Sequence, residues 1–171
     1  MTDPVTWRDH GARITHVALD YGGTLTSGHD PICPHLRMRP VTPAAADAVG
    51  RLADVGITLV LVSNTRPGQN RRPALKAAGI LHLFARVYLS HETGLSKPDP
   101  RVWRHVLNDL GVAPGRLAHC GNNPTCDIYP AAAQGIRSVL LSRVAPRHLP
   151  PGAAHITTIG DLPGLIGAEA G

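Results

Sequence analysis

Val17-Ala18-Leu19-Asp20-Tyr21-Gly22-Gly23-Thr24-Leu25-Thr26 decides how this chain is read. A short apolar run stops at a carboxylate, and two glycines follow at once. A buried strand that ends this way aims Asp20 into a loop whose backbone amides can approach an anion. The carboxylate then serves as nucleophile or metal ligand. The alternative is a turn cap, because Asp and Gly are also ordinary turn residues.

Working outward, apolar β-rich runs recur at 14–19, 57–62, 87–89, 117–120 and 138–141. Helical stretches are expected between them at 43–54, 72–78, 100–110 and 129–134, each closed by a glycine at 56, 79, 111 or 135. Residues 156–166 add an edge strand and a last short helix. Strands alternating with helices of this length imply parallel pairing through right-handed crossovers. The expected fold is therefore α/β: a three-layer α/β/α sandwich on a doubly wound, mainly parallel, Rossmannoid sheet. In such sheets ligands bind outside the carboxyl ends of the strands. Asp20, Ser63-Asn64-Thr65, Lys97 and the stretch from Gly121 to Asp127 all follow strands.

The 171 residues fit one domain, read as residues 14–171 behind a polar extension at 1–13. No apolar stretch reaches the length that spans a bilayer, and residues 1–15 lack the apolar segment of a secretory signal. A cytoplasmic protein without membrane attachment is expected. Cys33, Cys120 and Cys126 form no C-x-x-C pair, so reduced thiols are expected. The net charge is +5, and Lys76 and Lys97 are the only lysines. Arginine grips phosphate or carboxylate bidentately. Aromatics make up only 4% and no stacking platform interleaves with the arginines, which argues against nucleic acid and for a small anionic substrate.

Together the four stations resemble the haloacid dehalogenase-like (HAD) superfamily over roughly residues 14–166. Its first motif, D-x-D-G-T-[LV], is approached by Asp20-Tyr21-Gly22-Gly23-Thr24-Leu25. Its second, a Ser or Thr after an apolar strand, falls on Ser63 in Leu61-Val62-Ser63-Asn64. Its third, a Lys commonly followed by Pro, matches Lys97-Pro98 in Gly94-Leu95-Ser96-Lys97-Pro98-Asp99-Pro100. Its fourth, G-D-x(3,4)-D, is matched by Gly121-Asn122-Asn123-Pro124-Thr125-Cys126-Asp127.

The resemblance implies a Mg²⁺-dependent phosphohydrolase or phosphotransferase working on a small or medium phosphorylated compound through an aspartyl-phosphate. Asp20 would be the nucleophile, with Ser63 and Lys97 holding the transferring oxygens. Mg²⁺ would take Asp20, the Gly22 carbonyl, Asn122 and Asp127, with water completing an octahedron. Gly22, Gly23, Thr24 and Asn64 would line the phosphate. His29, Arg37 and Arg66, on the loops past Asp20 and Ser63, are the candidates to meet the rest of the substrate. Each assignment has a plainer rival: Ser63 or Asp127 capping a helix, Lys97 solvated, and the histidines as scattered surface residues.

Two family carboxylates are absent. Gly22 stands where the general acid and base usually lies, and Asn122 replaces the first Asp of the fourth motif. Loss of acid–base help costs about two to four decades in rate, so a slow enzyme or one needing a good leaving group is expected. A catalytically degenerate protein that keeps the pocket for binding is the alternative. The intervals from Thr24 to Ser63 and from Asn64 to Lys97 leave no room for an inserted cap domain beside their helices. An open pocket then admits large substrates, or is closed by the 26–41 loop or by a second copy of the chain.

Overall fold

The computed structural model describes residues 12–167. Most of the expected extension at 1–13, and residues 168–171, lie outside the described residues. Six strands form one sheet in the order β3-β2-β1-β4-β5-β6. They are β1 (His16–Leu19), β2 (Thr58–Ser63), β3 (Phe84–Leu89), β4 (Leu117–Gly121), β5 (Arg137–Leu141) and β6 (Ala154–Ile156). Every neighbouring pair is parallel. The order reverses between β1 and β4, where Leu19 pairs with Cys120, so the crevice at their carboxyl ends receives Asp20 from one side and Gly121 from the other.

Period-two alternation explains the three layers. Val17, Leu19, Leu59 and Leu61 face one way, into a core closed by helix α1 (Pro43–Asp54), helix α2 (Arg72–Ala77) and Leu162 of the C-terminal helix. Ala18, Val60 and Val62 face the other way, onto Val102, Trp103 and Val106 of a second long helix, Pro100–Leu110. Both faces are covered, which is why the strands read as near-continuous apolar runs.

Helix ends follow local chemistry. Thr42 caps α1 by accepting from the Ala45 amide, with Pro43 in the first turn. A one-turn helix α3 (Ser90–Thr93) follows β3, and α4 (Pro100–Leu110) starts on Asp99, whose carboxylate accepts from the Arg101 amide at 2.8 Å. The two long helices, α1 and α4, keep the bounds expected from sequence.

The expected helix at 129–134 differs. A π-helical turn, Pro124–Ile128, comes first, and α5 is only Tyr129–Ala132. Asn123 is the reason: its side-chain oxygen accepts from the amides of Thr125 and Cys126, starting the turn early. The widened turn carries Asp127 inward, to 1% exposure. The C-terminal helix α6 is Leu162–Ile166. Between β1 and α1 the chain forms turns and one antiparallel bridge, Cys33 with Met38. Among the described residues, no helix is long and apolar enough to cross a membrane.

Candidate active site

β1 delivers Asp20 by fixing its backbone: the Asp20 amide donates to the Cys120 carbonyl at 3.0 Å. The following turn is closed by the Tyr21 carbonyl, which accepts from the amides of Thr24, Leu25 and Thr26. The Asp20 carboxylate instead accepts from Lys97 Nζ at 2.9 Å.

Lys97 is 4% exposed and also donates to Asp127 at 2.6 Å. Its backbone is clamped from both sides by Asn64, whose side-chain nitrogen donates to the Lys97 carbonyl at 2.7 Å and whose oxygen accepts from the Lys97 amide at 2.9 Å. Asn64 therefore sets the position of the lysine.

Burial alone would lower the Lys97 ammonium and raise the Asp127 carboxyl. For Lys97, the charges of Asp20 and Asp127 outweigh that and push it up. For Asp127, the hydrogen bond and charge from His119, together with Lys97, hold the carboxyl well below the usual carboxylate range.

Both oxygens of Asp127 have partners. One oxygen accepts from Lys97 and faces His119 Nε2 at 3.2 Å; the other accepts from the Asn123 amide at 3.0 Å. Asn123, and not Asp127, is the cap of this turn. Gly121 makes the close approach feasible, since a Cβ there would lie 2.3 Å from the Asp127 carboxyl carbon. Gly121→Ala is expected to cost about 1–3 kcal/mol by overpacking and to displace Asp127 from Lys97. Urea unfolding reads the first effect and turnover the second; an unchanged midpoint and rate would refute it.

Asp20, Ser63, Arg71, Lys97, Asn122 and Asp127 line a cavity of about 200 Å³, with Gly22 and Asn64 at its wall. Ser63 ends β2 at 3% exposure and caps no helix. Its Oγ accepts from Arg71 Nε at 3.4 Å. The Arg71 guanidinium lies 4.6 Å above the ring of Tyr21, which is buried and donates its hydroxyl proton to the Arg39 carbonyl.

Several expected substrate contacts are not brought to this cavity. His29 lies beside the Arg143 guanidinium at 3.0 Å, exposed, because the loop past Asp20 runs out toward β5 and β6. Arg37 sits at the tip of the turn closed by Cys33 and Met38, with φ of 56°, facing solvent. Arg66 lines a separate neighbouring groove with Thr65, Gln69 and His91. The Gly23 amide is engaged by Thr26 Oγ1, and Thr24 is buried beside the loop. Gly23 still matters sterically: its φ is +72°, and a Cβ would meet the Asn122 side chain at 2.3 Å.

Two residues were not singled out from sequence. Arg71 belongs to a polar cluster just past Ser63, with Arg66, Gln69, Asn70 and Arg72, whose sequence reading is a grip on a distal acidic group or a solvated helix start; the structure puts Arg71 on the wall of this cavity. His119, fully buried on β4, was counted with surface histidines. Its Nδ1 faces the Ala18 carbonyl at 3.1 Å, its Nε2 faces Asp127, and Trp103 stacks on it at 4.4 Å. The available signal was a histidine inside an apolar strand, Leu117-Ala118-His119-Cys120, two residues before the glycine that ends it.

Oxygen-bearing residues on the cavity wall include Asp20, Gly22, Asn122 and Asp127. Among the described residues, no group of three His, Cys, Asp or Glu side chains converges as a preformed metal cage. A Mg²⁺ that keeps several waters and takes few protein ligands fits such a donor set.

The model of the haloacid dehalogenase-like hydrolases matches residues 35–135. That span holds Ser63, Lys97 and Asp127, while Asp20 precedes it. A phosphoserine phosphatase of Thermus thermophilus is 37% identical over 134 residues, covering 78% of this chain and 53% of that protein. An HAD phosphatase structure from Thermococcus onnurineus superposes with a TM-score of 0.67 at 27% identity, covering 80% of this chain and 61% of that one. An uncharacterized protein from Listeria monocytogenes shares the fold with a TM-score of 0.73 at 23% identity, over 88% of this chain and 96% of that one. The chain spans about half the length of the curated relatives it matches.

Proposed function

The chain belongs to the haloacid dehalogenase-like hydrolases, and on that premise we propose that it transfers phosphoryl groups through Asp20, hydrolysing a small or medium phosphorylated compound. The observation that carries this reading is Lys97 Nζ, held at 2.9 Å from Asp20 and 2.6 Å from Asp127 at the wall of a cavity that also presents Ser63 and Arg71. Phosphoryl transfer depends mainly on positioning and charge stabilisation, and these groups supply both.

An Asp20 carboxylate oxygen attacks phosphorus, and the bond from phosphorus to the leaving oxygen breaks. The leaving group departs as its oxyanion and takes a proton from solvent, because Gly22 offers none. Water then attacks the phosphorus of the aspartyl-phosphate, releasing orthophosphate and restoring Asp20. Lys97 and Ser63 donate to the transferring oxygens throughout. Mg²⁺, held by Asp20, the Gly22 carbonyl, Asn122 and Asp127, would orient the Asp20 carboxylate toward the phosphorus it attacks. Asp127 also anchors Lys97 through the oxygen that faces His119, while its other oxygen accepts from the Asn123 amide.

With only short connections before Ser63 and before Lys97, specificity on this reading falls to the surface loops or to a second copy of the chain. A panel of phosphate esters and acyl phosphates, assayed with and without Mg²⁺, tests the reading; turnover of none would overturn it. Gly22 and Asn122 favour one second reading, a protein that binds phosphorylated ligands without turning them over. A phosphoenzyme decides between the two.

Gly22 can be tested by restoring the acid. A Cβ at Gly22 meets nothing within 4 Å, so the backbone there has room for the first atom of the Gly22→Asp side chain. It is expected to raise hydrolysis of an alkyl phosphate by about 10²-fold and that of an aryl phosphate much less, because aryl leaving groups need less protonation. Equal gains on both would refute this account of Gly22.

A further inference from the structure

We infer that Arg71 is the second cationic ligand of the pocket and that, with Lys97, it lets this pocket hold a phosphate-type oxyanion without a divalent cation. This rests on the phosphate-pocket reading above and adds to it the source of the positive charge.

Charge balance is the first step. The cavity wall carries two carboxylates, Asp20 and Asp127, and two cations, Arg71 and Lys97. Gly22 and Asn122, on the same wall, add no charge. A wall with excess carboxylate repels phosphate until a divalent cation intervenes. Here the formal charges already cancel, and the carboxylate deepest in the site faces inward: Asp127 is 1% exposed, with both oxygens engaged. An entering dianion therefore meets the Lys97 ammonium, the Ser63 hydroxyl and the Arg71 guanidinium against the single partly open carboxylate of Asp20.

Preorganisation is the second step. Arg71 is not a solvated side chain that must be gathered in. Its guanidinium rests on the Tyr21 ring at 4.6 Å, and its Nε is already directed to Ser63 Oγ at 3.4 Å. The Tyr21 ring is itself fixed by burial and by its 2.6 Å hydrogen bond to the Arg39 carbonyl. With Nε turned to Ser63, the remaining N–H groups of the planar fork are the ones able to meet phosphate oxygens, the geometry in which arginine binds most strongly. Lys97 is equally fixed, through the two-pronged clamp from Asn64.

The test is calorimetric titration of the full chain with inorganic phosphate, once in EDTA and once in excess Mg²⁺. Phosphate is expected to bind in EDTA, with Mg²⁺ changing the affinity less than about threefold. Arg71→Met is expected to weaken that binding about tenfold to a hundredfold, the scale of hydrogen bonds to a charged group. Arg71→Lys, which keeps the charge and loses the fork, is expected to fall between the two. Binding seen only with Mg²⁺, or strengthened by it more than about threefold, overturns this inference and leaves the proposed function standing. Unchanged binding by a folded Arg71→Met also overturns it. Absence of phosphate binding in both buffers overturns the phosphate-pocket reading itself. Should Arg71→Met fail to fold, the wild-type comparison and Arg71→Lys still decide.

Discussion

Asp20→Asn is expected to abolish the phosphoenzyme and to lower kcat by about 10³-fold or more, the scale of losing a nucleophile. Only a carboxylate oxygen can form the acyl phosphate, and the asparagine amide keeps the shape without the reactivity. Acid-quenched protein incubated with a labelled acyl phosphate should carry a hydroxylamine-labile label in the wild type and none in the variant. Stability should hardly move. Asp20 is the more open partner of Lys97, its side chain 13% exposed, and Lys97 keeps Asp127 at 2.6 Å, so the change in unfolding free energy should stay within about 1 kcal/mol. Equal labelling of both proteins would remove Asp20 from the chemistry. A large loss of stability would mean that the carboxylate is structural.

Most of the architecture could be read from the chain because its cause is local. Strand runs such as Val17-Ala18-Leu19 are apolar on both faces, and helices α1 and α4 carry proline in the first turn with glycine at positive φ just past the end. Residues 124–128 were harder, because helical periodicity does not distinguish a π-turn from the start of an α-helix. The Asn123 cap that decides between them is one side chain. The site divides in the same way. Asp20 and Ser63 follow or end strands at the crevice, so sheet topology brings them together, and Lys97 and Asp127 reach it on the connections after β3 and β4, held by Asn64 and by the 124–128 turn. His29, Arg37 and Arg66 lie on long connections, whose course is set by contacts that no spacing encodes, such as His29 with Arg143. Arg71 and His119 were not singled out, for opposite reasons. One was hidden among neighbouring arginines, and the other is a titratable group in a strand otherwise read only for its apolar pattern.

The same geometry implies that function and folding meet at Lys97. Its side chain is 3% exposed, and its ammonium is the shared counterion of Asp20 and Asp127. Lys97→Met keeps the length and the apolar stem while deleting the charge, and leaves Asp127, 2% exposed, with only His119 and the Asn123 amide. Removing one partner of a buried pair costs about 3–5 kcal/mol because the other charge stays buried, so the variant should unfold at markedly lower urea and show no measurable turnover. If unpaired charge is the cause, Lys97→Met combined with Asp127→Asn should be clearly more stable than Lys97→Met alone, because the stranded anion is gone, and it should remain inactive. A double variant no more stable than the single one would place the loss in packing of the lysine stem. Recovery of turnover would show that Lys97 serves the fold and not the transferring phosphoryl group.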